Sequence, residues 1–135
     1  METPASWDPS FSVGHELMDN QHKHLLSICS RVARLIDDES HAAALQFHEA
    51  LHDLAEYTRN HFAAEEALLQ ECNYPGLKAH VAEHSDCLTR LTDFLYAASH
   101  GVIAKNEMHD FLLKWWANHV ISSDRHYAAF LRPAG

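Results

Sequence analysis

The stretch His61–His84, HFAAEEALLQECNYPGLKAHVAEH, decides the fold. It opens on His61 and Glu65 and closes on His80 and His84, both pairs spaced i and i+4. Between them, Asn73-Tyr74-Pro75-Gly76 carries strong turn chemistry. On a helix, an i,i+4 pair lies on one face, one turn apart. Two antiparallel helices joined at that turn therefore aim a His/Glu pair and a His/His pair into one layer. Burying His and Glu without partners is costly, so an ordinary core does not look like this.

Working outward, the same stepping of three and four residues continues on both sides. His22, Leu26, Cys29, Ala33 and Ile36 make one helical stripe, widened by Leu25, Ile28, Val32 and Leu35. Leu51, Leu54, Thr58, His61, Glu65, Leu68 and Cys72 make a second, and Leu77, His80, His84, Cys87, Leu91 and Phe94 a third. Met108, Leu112, Trp115 and His119 make a fourth. The stripes predict helices over about 19–37, 42–72, 77–98 and 105–131, with Asp19 and Ser40 as candidate N-caps. His100-Gly101 supplies a C-terminal glycine to the third helix, and Pro133 ends the fourth. Residues 1–18, with Trp7, Phe11 and Val13 among Pro4, Pro9 and Gly14, read as an extended arm packed on the helices. The expected fold is all-α: a single domain over 1–135, an up-down-up-down antiparallel four-helix bundle with an N-terminal arm.

Composition narrows the partners. The chain has 135 residues, 47% of them hydrophobic, and a net charge of −9 with no run of Lys or Arg, which argues against nucleic acid and anionic membranes. No apolar run is long enough to span a membrane, and METPASWDPS lacks the features of a secretory signal. Cys29, Cys72 and Cys87 are widely spaced and odd in number, so they read as reduced packing residues of a cytoplasmic protein. Thirteen His is the compositional outlier.

Every seam carries a ligand-type residue: His22, then His61 and Glu65, then His80 and His84, then His119. Asp124 follows His119 by five positions, about 140° further round an α-helix, so periodicity alone leaves its place open. Five imidazoles with one or two carboxylates exceed the needs of one tetrahedral zinc and suit two first-row ions, whether iron, manganese or zinc. His15, His24, His41, His48, His52, His100, His109 and His126 fall off this pattern and read as solvated or locally paired.

The segments D19-N-Q-H22-K, H61-F-A-A-E65-E, H80-V-A-E-H84 and W115-W-A-N-H119-V-I-S-S-D124 together resemble a bacterial hemerythrin, and the likeness covers nearly the whole chain. The resemblance implies two non-haem irons with an oxo or hydroxo bridge. His80, His84 and His119 would hold one iron, His22 and His61 the other, and Glu65 and Asp124 would bridge. Glu66 resembles the family's second acidic residue and is not expected to ligate. The implied function is reversible dioxygen binding at the iron with an open position, as carrier, store or sensor, without a catalytic side chain. A sensor would need a separate protein partner. The alternative is a di-iron enzyme, whether peroxidase, oxidase or nitric-oxide scavenger. Carboxylate-rich di-iron oxidases use a different donor set, and the richer imidazole content here favours binding over oxygen activation. A third reading, a His-rich zinc or structural bundle, requires the seam residues to be coincidental.

One position departs from the family. Three residues before His119, where hemerythrins usually carry Leu over the oxygen site, this chain has Trp116. An offset of three places Trp116 almost a turn above His119, where its indole would wall the pocket, unless it turns outward into a groove between helices.

Overall fold

The helix ends follow from local chemistry, and the computed structural model describes residues 7–35, 38–101, 105–115, 118–120 and 124–131. Helix α1 (Glu16–Leu35) carries Glu16 and Asp19 in its first turn and Arg34 in its last, each favourable to the helix dipole. It begins before Asp19, which is therefore not its N-cap. The Asp19 carboxylate instead accepts from the Ser12 hydroxyl at 2.5 Å and the Val13 N–H at 2.9 Å, tying the arm to the helix. Near the helix start, the Met18 N–H donates to His15 Nδ1 at 3.3 Å.

Helix α2 (His41–Glu71) is capped by Ser40, whose hydroxyl accepts from the Ala43 N–H at 3.1 Å. At its far end the Tyr74 N–H bonds the Leu69 carbonyl and the Asn73 N–H bonds the Gln70 carbonyl, a Schellman arrangement with Asn73 left-handed at φ 57°. Helix α3 (Leu77–Ser99) closes on Gly101 at φ 82°, whose N–H reaches the Ala98 carbonyl. Helix α4 (Lys105–Trp115) is followed by a wider π-type turn over 118–120, the short helix α5 (Asp124–Tyr127) and a 3-10 turn at Ala128–Phe130. The expected single helix over 105–131 is thus replaced by segments of different winding. Trp116, Ile36, Pro133 and the arm before Trp7 lie outside the described residues.

Helix α1 packs on α2 and α4, and α2 packs on α3. Contacts run in opposite senses along neighbours: Gln21 meets His61 while Arg31 meets Asp53, so α1 and α2 are antiparallel. Likewise Leu26 packs with Val120 while the Leu35 carbonyl accepts from Lys105 Nζ. Among the described residues there is no strand, and no helix is long and apolar enough to cross a membrane.

Two apolar clusters fill the bundle. The larger holds Leu25, Val32, Phe47, Leu54, Leu91 and Leu112 among others, and a second holds Val13, Met18, Leu69 and Tyr127. Each fully buried side chain of this size contributes about 1.5–3 kcal/mol by leaving water. Along α1, α2 and α3, and from α4 into α5, a polar layer separates these two clusters. Phe11, Leu26 and Val120 form a third cluster beneath Trp7 of the arm, which starts with a 3-10 turn at Pro9–Phe11. Cys29, Cys72 and Cys87 are free thiols. Burial pushes the Cys29 thiol up to about 12, so it is inert packing.

Candidate metal centre

The polar layer gathers His22 from α1, His61 and Glu65 from α2, His80 and His84 from α3, His119 from the π-type turn and Asp124 from α5. All are at most 4% exposed. Helical phase explains six of them, since each sits on the buried stripe of its element. Asp124, whose place periodicity leaves open, also lies in this layer.

The donors form two groups sharing Glu65: Glu65, His80, His84, His119 and Asp124 in one, and His22, His61 and Glu65 in the other. Glu65 Oε1 lies 2.8 Å from His80 Nε2 and 3.0 Å from His84 Nε2. Its Oε2 lies 3.3 Å from His22 Nε2 and 3.4 Å from His61 Nε2. Asp124 divides in the same way, with Oδ1 2.9 Å from His80 Nε2 and 3.2 Å from His119 Nε2, and Oδ2 3.1 Å from His22 Nε2. Each carboxylate thus presents one oxygen to each histidine group.

Outside this ring of donors stands a second set of residues that fixes the imidazole tautomers. His61 Nδ1–H donates to Gln21 Oε1 at 2.6 Å, His84 Nδ1–H to Glu66 Oε2 at 2.9 Å and His119 Nδ1–H to Glu83 Oε2 at 2.9 Å. With the proton held on Nδ1, the inward Nε2 carries a bare lone pair. The Nε2 atoms of His84 and His119 face each other at 3.0 Å, and among the described residues neither buried Asp124 oxygen has an aligned hydrogen-bond donor. Bare nitrogens and carboxylate oxygens converging in a dry layer repel one another unless cations lie between them. Their spacing also fits: neighbouring corners of an octahedron with bonds of about 2.1 Å lie about 3 Å apart. The residues present therefore suit a pair of first-row metal ions.

Without metal, protons answer the same need. Burial pulls the His22 and His80 imidazoles down, but Asp124 and Glu65 outweigh it and raise them to about 9 and about 10. Against its own burial, the surrounding imidazoles of His22, His61, His80 and His84 hold Glu65 well below the usual carboxylate range. Burial moves His119 the other way, downward. Tyr127, fully buried, donates its hydroxyl to Glu65 Oε2 at 2.8 Å, and burial followed by the Glu65 and Asp124 charges pushes that phenol far up. Phe62 stacks on His84 with ring centroids 3.7 Å apart and planes 4° from parallel, and Trp115 lies over His119 at 5.2 Å and 16°.

Sequence reasoning missed Tyr127, Gln21, Glu83 and Phe62. Tyr127 had a signal, since it follows Asp124 by three and shares its face. Glu83 had none, because it reaches from α3 across to His119. Of the histidines off the pattern, His24 lies against Tyr57, and His100 is bonded to Ser99 and the Tyr96 carbonyl. His109 corrects the expectation: it is buried, and among the described residues neither ring nitrogen has a hydrogen-bond partner. It sits on the apolar side of α4, beside Met108 and one turn from Leu112.

Fold and centre define a helical-bundle protein that holds a pair of metal ions in its core. The model of the hemerythrin HHE cation binding domain matches residues 13–131, and the chain belongs to the hemerythrin family. It is 27% identical over 126 residues to a bacteriohemerythrin of Pseudomonas aeruginosa, covering 93% of this chain and 80% of that one. To a myohemerythrin of Riftia pachyptila it is 28% identical over 125 residues, covering 93% and 92% of the two chains. A crystal structure of wild-type hemerythrin superimposes with a TM-score of 0.82 at 25% identity, covering 94% of this chain and 97% of that one. The centre is the family's non-haem di-iron site, and its ligand is dioxygen.

Proposed function

We propose that the chain forms one hemerythrin-like domain that binds dioxygen reversibly, serving as a carrier, store or sensor, not as an enzyme. His80, His84 and His119 would hold one iron, His22 and His61 the other, and Glu65 and Asp124 would be shared between them. The observation that carries this reading is the division of both carboxylates, one oxygen toward each histidine group. An iron pair bound there would supply the redox chemistry for dioxygen binding.

The chain's own residues do the rest. Gln21, Glu66 and Glu83 orient three imidazoles so that their Nε2 atoms face inward. The Tyr127 hydroxyl fixes the Glu65 oxygen that faces His22 and His61. Leu26, a turn beyond His22, and Val120, next to His119, pack with Phe11 into a dry wall. Such a wall excludes the water and protons that would release bound oxygen in reduced form.

The test is a visible spectrum of the reduced, iron-loaded protein, cycled between air and argon, with metal analysis on the same sample. Two irons per chain and a colour that appears and disappears over repeated cycles are expected. A colourless protein, or one that steadily consumes oxygen with a reductant, would overturn the reading.

A further inference from the structure

His48 and His52 stand i and i+4 on α2, away from the buried seam, with His48 half-buried and His52 exposed. Their ring centroids are 4.8 Å apart and their planes meet at 72°. The donor pairs of the buried centre are arranged in the same way. His80 and His84, also i and i+4 on one helix, lie at 4.6 Å and 79°, and His22 and His61 at 4.8 Å and 74°. Among the described residues, His48 and His52 are the only imidazole pair in ring contact outside that centre. Neither ring has a hydrogen-bond or ion-pair partner there that would occupy its nitrogens.

We infer that His48 and His52 form a second metal site, on the surface of α2, that takes one first-row divalent cation, copper(II) above the others. Two imidazoles one helical turn apart make a chelate whose spacing the helix has already fixed, so little freedom is lost on binding. Imidazole binds the late first-row ions, and copper(II) stands highest among them in affinity. A pair of cis nitrogens fills half of a square-planar set and leaves the other corners to water. Exposed Glu49 and Glu56 flank the pair, and the net charge of −9 raises the local concentration of cations. His52 precedes His61 by nine residues, about 13 Å along the helix, so the surface site fills independently of the di-iron centre.

The experiment titrates the iron-loaded protein with copper(II) in a weakly coordinating buffer, following heat, copper electron paramagnetic resonance and iron content. One copper per chain is expected to bind first, with hyperfine structure from two nitrogens and no loss of iron. His52→Gln and, separately, His48→Gln should each weaken that first copper at least tenfold and reduce the pattern to one nitrogen. The exposed position of His52 keeps its variant folded, which an unchanged iron content and visible spectrum would verify. His24→Gln, which removes a ring packed on Tyr57, should bind copper like the wild type. A smaller change than tenfold in His52→Gln, or iron released as copper enters, would overturn the inference. The oxygen-binding reading is judged from iron content and colour before any copper is added, so its failure is distinguishable from failure here.

Discussion

Tyr127 has no exposed surface, and its hydroxyl ends on Glu65 Oε2 at 2.8 Å. Replacing it with Phe removes a donor to a buried carboxylate, which costs about 1.5–3 kcal/mol. Tyr127→Phe should therefore lower the thermal midpoint of the metal-free protein while two irons per chain are still bound. An unchanged midpoint would mean that the hydroxyl contributes nothing. The adjacent pair Glu65 and Glu66 separates two roles. Glu65 touches both histidine groups, whereas Glu66, on the flank, only accepts from His84 Nδ1. Glu65→Ala should abolish the coupled di-iron spectrum. Glu66→Gln should keep the spectrum but weaken iron binding about 10–100-fold, the usual cost of losing an orienting partner. A competition with a chelator of known affinity measures both, and equal losses would erase the distinction.

At the scale of elements, the turn between α2 and α3 sets the register of four donors at once. Asn73 occupies the left-handed region at φ 57°, and a Cβ at Gly76 would meet the Tyr74 ring at 2.8 Å. Asn73→Ala should cost about 1–2 kcal/mol, since a Cβ without a local polar partner is disfavoured there, whereas Asn73→Gly should cost little. Gly76→Ala should displace the Tyr74 ring, which touches His80 and Tyr127, and so alter the di-iron spectrum as well as stability. Urea unfolding with spectra of the loaded variants would check both. These elements also mark what could be read from sequence. The stripes through His22, His61, Glu65, His80, His84 and His119 were legible because a regular helix repeats its face every three or four residues. The turn at Asn73 and the end at Gly101 were legible because few residues tolerate a left-handed backbone. Asp124 was not, because a step of five from His119 falls outside the pattern of three and four. Glu83 and Gln21 were not, because a single-helix pattern says nothing of which neighbour a flanking side chain reaches.

At the scale of the whole molecule, the centre links stability to pH and to metal. In the metal-free protein His22 and His80 rise from the ordinary 6.5 to about 9 and about 10. Folded values above unfolded ones mean that their stabilisation is complete below about pH 6.5 and is lost as pH rises through 9 and 10. Glu65 runs the opposite way: its contribution is present above the ordinary carboxylate range and is lost as pH falls through its depressed value. His119, shifted downward, adds a loss as pH falls below its ordinary 6.5, so the metal-free protein should be most stable near about pH 6.5. Iron needs bare nitrogens, so loading should release protons and remove the alkaline decline. Thermal midpoints across pH, with and without iron, test this, and an alkaline decline that persists in the iron-loaded protein would contradict it. The burial of the donors carries a kinetic consequence. No donor is more than 4% exposed, so an ion cannot reach the layer while the bundle is closed. Uptake must wait for a local breathing motion, and helix α5, only four residues long, meets the layer through Asp124 and Tyr127. Iron entry should then show a rate that saturates with iron concentration, quickens in dilute urea and matches amide exchange at Tyr127. The same gate, shut for most of the time, would let the protein retain its metal against chelators far longer than equilibrium affinity alone requires.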